Sequence, residues 1–271
     1  MKYIFLDIDG TIRDFDGVIA GSAVEAVRKA RDNGHKVLIC SARPYAQIDK
    51  RVLDIGFDGV IASSGCYILL DGKCIFRKCF ETAVSADIGK YLFERGAVLE
   101  FGNYRETAVH FVHEESYCSI DRLVKERLGE KAMKLLSDHR NICGFDEIDE
   151  VEKILCFTKD IGLADVVQHF KDEVSGVTFL IPELDLTGFE LHPAGVGKAF
   201  SLMKVIEKTG AAIEDTIAAG DSANDADMLK TAGIGIAMGN GSEEAKRSAD
   251  LITDTLKNDG LYKAFKSLDI I

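Results

Sequence analysis

Two carboxylates one residue apart, Asp7 and Asp9, follow a short apolar run and precede Gly10 and Thr11. A carboxylate can attack phosphorus and form an acyl phosphate. A second carboxylate two residues on can give a proton to the leaving group and later take one from water. Gly10 lets the backbone turn tightly, and the Thr11 hydroxyl and loop N–H groups can hold phosphate oxygens. An acidic surface turn has the same composition, so the cluster by itself leaves both readings open.

The second cluster is Asp221-Ser222-Ala223-Asn224-Asp225, after Gly220. Several oxygen-bearing side chains close together suit a hard cation such as Mg²⁺, which takes one or two carboxylates, waters and a phosphate oxygen. The same residues would also cap a helix. Lys198 follows Gly195-Val196-Gly197. A fixed ammonium there would offset repulsion between a carboxylate nucleophile and a phosphate dianion; a solvated helix lysine is the plain alternative. The string is not a P-loop, which needs Gly at 192 and Ser or Thr at 199, where the chain has His192 and Ala199. The glycines at 233, 235 and 239 are wrongly spaced for a dinucleotide fingerprint. His110 and His113 fall on opposite sides of a strand and cannot chelate together.

Positioning these groups requires elements that end side by side. Tyr3–Leu6, Lys36–Cys40, Gly59–Ala62 and Thr216–Ala219 are short apolar runs, read as buried strands. Each ends in polar residues: Asp7 and Asp9, Ser41, Ser63 and Ser64, Asp221. A helix capped by Ser22, with Val24, Val27 and Ala30 on one face, follows the first strand, and another spans Tyr45 to Leu53. Late in the chain, helices at 197–208 and 223–231 alternate with strands at 233–238 and 251–253. Alternating strands and helices predict a parallel sheet, whose carboxyl edge collects ligand-binding residues. The middle differs. Helical stretches near 84–95, 116–128 and 161–173 alternate with period-two strands such as Thr107–Val112 and Val177–Ile181. The predicted fold is therefore α/β, a Rossmann-like core over 1–82 and 191–271, with an α+β insert over 83–190.

The 271 residues carry a net charge of −12. An acidic field does not draw nucleic acid or anionic membrane, so no such partner is expected. Cations for an anionic substrate must be concentrated locally. No apolar run approaches a membrane span, and no signal peptide precedes the first strand. Seven cysteines, an odd number without a C-x-x-C pair, are read as reduced thiols of a cytoplasmic protein.

Taken together, Asp7-Ile-Asp-Gly-Thr11, Ser41-Ala-Arg43, Lys198, and Gly220-Asp221 with Asn224-Asp225 resemble the four ordered motifs of the haloacid dehalogenase-like hydrolases. The Cof-type sugar-phosphatase branch is nearest, through Gly220–Leu229, Ala232–Gly239 and the tail Ala249–Asp254 with Asp259-Gly260. The resemblance implies a phosphatase for small phosphorylated metabolites, with Asp7 as nucleophile and Asp9 as general acid/base. Gly10, Thr11, Ser41 and Ala42 would hold the phosphoryl group, and Lys198 would stabilise its charge. Mg²⁺ would bind Asp7, the carbonyl of Asp9 and Asp221, while Asn224 and Asp225 bind the ion or its waters, or orient Lys198. The insert would be a large cap that selects substrate, with Arg105 and His110 as candidate contacts. Arg43 is expected near the phosphate or in a structural ion pair. Two departures stand out. Ser64-Gly65 replaces a common Asn-Gly, and Ser41-Ala42 stands where a Gly-containing triplet is common. A phosphosugar mutase and a non-catalytic ligand-binding module are the alternative readings.

Overall fold

The computed structural model describes residues 1–110, 140–158, 161–181 and 186–271. The expected helix at 116–128, Cys118, His113 and the end of the strand at 111–112 lie outside these residues. The described chain divides into two compact units: Met1–Arg43, Ile48–Arg77 and Val196–Ile271 form the first, and Pro44–Gln47 with Lys78–Gly195 the second.

The first unit is built on an eight-stranded sheet. Its strands are β1 (Tyr3–Leu6), β2 (Lys36–Cys40), β3 (Gly59–Ala62), β4 (Tyr67–Leu70), β5 (Lys73–Arg77), β12 (Thr216–Gly220), β13 (Ile234–Ala237) and β14 (Leu251–Ile252). The order is β14-β13-β12-β1-β2-β3-β4-β5. The first six run parallel, while β4 and β5 are added antiparallel. Alternation along β1 sends Phe5 to one face and Ile4 and Leu6 to the other, all fully buried. On the Phe5 side, Leu38, Cys40, Ile61 and Ala218 meet Leu202 and Val205 of the helix Lys198–Thr209 and Met228 and Leu229 of the helix Ala226–Thr231. The helix Gly21–Asp32 packs against β2 and the helix Gly260–Ser267.

Two details differ from the sequence reading. The first helix begins at Gly21 with Ala20 as its cap, so Ser22 lies inside the first turn; its buried face is Ala23, Ala26, Val27 and Ala30. Small residues at these positions let the helix lie close. The expected helix over Tyr45 to Leu53 is two short pieces, a 3₁₀ turn at Tyr45–Gln47 and a helix at Lys50–Leu53 capped by the Asp49 side chain.

The second unit holds a six-stranded sheet of order β10-β11-β9-β6-β7-β8. These strands are β6 (Val98–Gly102), β7 (Thr107–His110), β8 (Arg140–Ile142), β9 (Lys153–Thr158), β10 (Val174–Ile181) and β11 (Leu186–Pro193). All pairings are antiparallel except β7 with β8. Leu99, Phe101, Ile154, Cys156, Phe189 and Leu191 form one face of it. They pack against Ile88 and Leu92 of the helix Thr82–Phe93 and Val166 of the helix Leu163–Phe170. Each unit thus has its own core.

Candidate active site

β1 and β12 are parallel neighbours, with Leu6 opposite Ala219. The ladder runs one residue further, from the Asp7 N–H to the Ala219 carbonyl at 3.0 Å. Asp7 and Asp221 therefore leave the same sheet edge side by side. Carboxylate oxygens of Asp7, Asp221 and Asp225, all buried, lie within 4.8 Å of one another. Gly10 makes this approach feasible. Its φ is +86°, and a Cβ there would stand 2.1 Å from Asp221 Oδ2.

Lys198 opens its helix and sends its Nζ between two of these acids, donating to Asp7 Oδ1 at 2.7 Å and Asp225 Oδ1 at 2.6 Å. Its side chain is 1% exposed. The other oxygen of Asp225 accepts from the Asp221 and Ser222 N–H groups at 3.0 and 2.9 Å. Asn224 Oδ1 accepts from the Ser222 hydroxyl at 2.8 Å.

One ammonium does not neutralise three buried carboxylates. Burial pushes Asp7 up to about 7, with Lys198 opposing and Asp225 adding to the rise. Burial, then the charges of Asp7 and Asp225, push Asp221 up to about 8. Burial works against the Lys198 ammonium, but Asp225 and Asp7 outweigh it and hold the lysine well above its ordinary range. Asp221 Oδ1 is buried and has no hydrogen-bond partner among the described residues. A bare buried carboxylate oxygen among like charges is costly unless a cation meets it. The donor set, all oxygen, fits a hard divalent ion.

The predicted acid/base, Asp9, is gripped from two sides. Arg13 donates through Nη2 at 2.5 Å and Nε at 3.2 Å to Oδ1, and Arg43 donates through Nε at 2.6 Å to Oδ2. Burial by itself would raise the Asp9 carboxyl, but Arg43 and Arg13 hold it below the usual carboxylate range. Ser41, at the end of β2, is buried; its hydroxyl accepts from the Arg43 N–H at 3.2 Å, and half-buried Ala42 stands between them. Ser63 and Ser64 brace this turn through bonds from their N–H groups to the Arg43 and Ser41 carbonyls at 2.8 and 3.1 Å. Both serines have left-handed φ, 51° and 53°, a strain typical of functional loops. Thr11 is fully buried, and its hydroxyl has no partner among the described residues.

Asp7, Asp9, Gly10, Thr11, Ser41, Ala42, Lys198, Asp221, Asn224 and Asp225 all belong to the first unit. Arg105 belongs to the second, where it pairs with Asp149 at 3.2 Å and Glu150 at 2.8 Å. His110 ends β7. Sequence reasoning missed Arg13 and Asn240. Asn240 Nδ2 donates to the Gly10 carbonyl at 2.9 Å, and its Oδ1 accepts from the Leu256 N–H at 2.8 Å. Its signal was a Gly-Asn-Gly turn directly after a strand.

A buried carboxylate at a strand end, an embedded lysine and an acidic pocket at the carboxyl edge of a parallel sheet are the kinds of groups that phosphoryl transfer uses. The family profile of the haloacid dehalogenase-like hydrolases matches residues 4–265, and the chain belongs to that family. YkrA of Bacillus subtilis is 29% identical, over all of this chain and 98% of its own length. A 5-amino-6-(5-phospho-D-ribitylamino)uracil phosphatase of the same organism, YcsE, is 28% identical over 98% of this chain and 95% of its own. The solved structure of BT4131, a subclass IIB sugar phosphatase, superposes with a TM-score of 0.83 at 25% identity, covering both chains completely.

Proposed function

We propose that this hydrolase is a magnesium-dependent phosphatase that cleaves small phosphomonoesters, sugar phosphates foremost, through an aspartyl-phosphate on Asp7. The observation that carries the reading is the buried Lys198 ammonium on Asp7 Oδ1, with Asp221 and its unpartnered oxygen alongside. Phosphatase relatives and the sugar phosphatase BT4131 support the substrate class.

In the first step an Asp7 carboxylate oxygen attacks phosphorus and the bond from phosphorus to the ester oxygen breaks. For this step Asp9 must first take up a proton against the pull of Arg43 and Arg13; it gives that proton to the ester oxygen, and the alcohol leaves. In the second step water attacks the aspartyl-phosphate while Asp9 takes the proton. The bond between phosphorus and Asp7 breaks, inorganic phosphate leaves, and both acids return to their starting states. Lys198 fixes the attacking group and balances charge on the transferring phosphoryl group. Ser41, Ala42, Gly10 and the unpartnered Thr11 hydroxyl hold its oxygens. Mg²⁺, held by Asp7, the Asp9 carbonyl and Asp221, would supply charge neutralisation between nucleophile and phosphate dianion. Both oxygens of Asp225 are already engaged, which favours it as the support of Lys198 over direct ligation. Asn224 would meet the ion's waters.

The test is phosphate release from an aryl phosphate and a panel of sugar phosphates, with and without Mg²⁺, beside Asp7→Asn. Release that depends on both Mg²⁺ and Asp7 is expected. Undiminished release by folded Asp7→Asn would sink the mechanism. Conversion of a hexose 1-phosphate to its 6-phosphate, in place of hydrolysis, would move the assignment to a mutase.

A further inference from the structure

The roles above leave Arg43 without a task beyond its grip on Asp9, and its bonding is unfinished. Its backbone is fixed, through its N–H to Ser41 Oγ and its carbonyl to the Ser63 N–H. Its Nε donates to Asp9 Oδ2 at 2.6 Å. A guanidinium carries five N–H donors; the other four, on the two Nη groups, have no hydrogen-bond partner among the described residues. Arg13 offers a contrast. It spends Nε and Nη2 on Asp9, and its Nη1 lies 3.6 Å from Asp49. Its side chain is 9% exposed, against 29% for Arg43. Arg13 is thus a committed structural partner. Arg43 is anchored at one nitrogen with its fork open, two residues from the hydroxyl expected to hold phosphate. A guanidinium fork matches two oxygens of one oxyanion, and anchoring at Nε has already removed much of its rotamer freedom.

We infer that Arg43 is an anion receptor of the site: its Nη fork takes an oxyanion of the substrate while its Nε keeps hold of Asp9. One side chain then joins substrate binding to the orientation of the acid/base. The oxyanion has two sources, the transferring phosphoryl group or a second anionic group on the leaving group. The inference rests on the phosphatase reading only for which molecule brings the anion.

The experiment titrates inorganic phosphate calorimetrically, with Mg²⁺ present, into the parent protein, Arg43→Gln, Arg43→Lys and Arg13→Gln. Kinetics follow on glycerol 3-phosphate, whose leaving alcohol is uncharged, and phosphoglycolate, whose leaving alcohol carries a carboxylate. Arg43→Gln is expected to weaken phosphate about tenfold or more. Arg43→Lys should recover only part of this, because an ammonium lacks the fork; it also keeps a cation beside Asp9 should the glutamine variant fail to fold. In both, KM rises through the lost anion contact and kcat falls through a loosened Asp9. Arg13→Gln should lower kcat with phosphate affinity kept. Weakened phosphate binding identifies the phosphoryl group as the source. Unchanged phosphate binding with a tenfold selective loss on phosphoglycolate identifies the leaving-group anion. Phosphate affinity within twofold of the parent and equal losses on both esters, in both Arg43 variants, would overturn the inference. Failure of the parent to hydrolyse any ester would remove the phosphatase reading, and the phosphate titration would still decide for or against Arg43.

Discussion

Lys198 is a buried cation whose two partners are both needed. With Asp7 at 2.7 Å and Asp225 at 2.6 Å it satisfies charges that would otherwise be stranded. Lys198→Met should therefore remove activity and also destabilise the first unit by about 3–5 kcal/mol, since it leaves acids buried without a counter-charge. Denaturant melting and phosphate release together read both effects. Adding Asp225→Asn should restore part of the stability and none of the activity. Gly10 is limiting for a different reason. Gly10→Ala would place a methyl against the Asp221 carboxylate at a φ that side chains resist. A loss of about 1–3 kcal/mol is expected, together with weaker Mg²⁺ binding by calorimetry.

At the scale of elements, the candidate groups stand where strands of the first sheet stop, except Lys198, which opens a helix. The parallel run β13-β12-β1-β2-β3 accounts for this, because parallel strands end on one edge. The hairpin of β4 and β5 was not foreseen, though its signal is in the chain. Asp71-Gly72 joins the two strands with φ values of 46° and 75°, both positive, as a tight two-residue hairpin turn demands. The strands themselves, YILL and KCIFR, lack clean alternation. A Cβ at Gly72 would meet nothing within 4 Å. Gly72→Ala should thus cost only the backbone term, about 1–2 kcal/mol, visible as a lower melting temperature with kcat/KM unchanged. In the second unit the expected helices at 84–95 and 161–173 are found at Thr82–Phe93 and Leu163–Phe170. The second stops early because Lys171 turns to a φ of 45°.

At the scale of the molecule, the acidic site makes stability depend on pH, and the proposed metal would be coupled to it. Asp7 and Asp221 have folded-state values of about 7 and about 8 against an ordinary 3.8. Between these limits the folded chain holds protons that the unfolded chain has lost. Stability therefore falls as pH rises from about 4 to 8, opposite to the usual salt-bridged aspartate. Mg²⁺, in the proposed role, would bind the deprotonated acids, so it should raise the melting temperature more at pH 8 than at pH 5, and its binding should release protons. Calorimetry in buffers of different ionisation enthalpy measures the release. A melting temperature unaffected by Mg²⁺ at pH 8 would remove the cation from this site. No helix among the described residues is long and apolar enough to cross a membrane, and Cys40, Cys74 and Cys156 are free thiols.

The residue types, their order and the apolar runs before them determined the α/β class and the inserted α+β segment, and put Asp7, Asp9, Ser41 and Asp221 forward as strand-end candidates, with Lys198 beside them. Those features are local: a buried strand and the polar residue ending it lie within a few positions of each other. Only the tertiary structure decided how the groups are partnered. The grip of Arg13 and Arg43 on Asp9, the commitment of both Asp225 oxygens, and the Asn240 strut beneath Gly10 depend on side-chain directions and on crossovers that join residues far apart in the chain. A sequence states which charges exist; their distances, and hence whether a carboxylate is held ionised or pushed towards its neutral form, exist only once β1, β2 and β12 stand side by side.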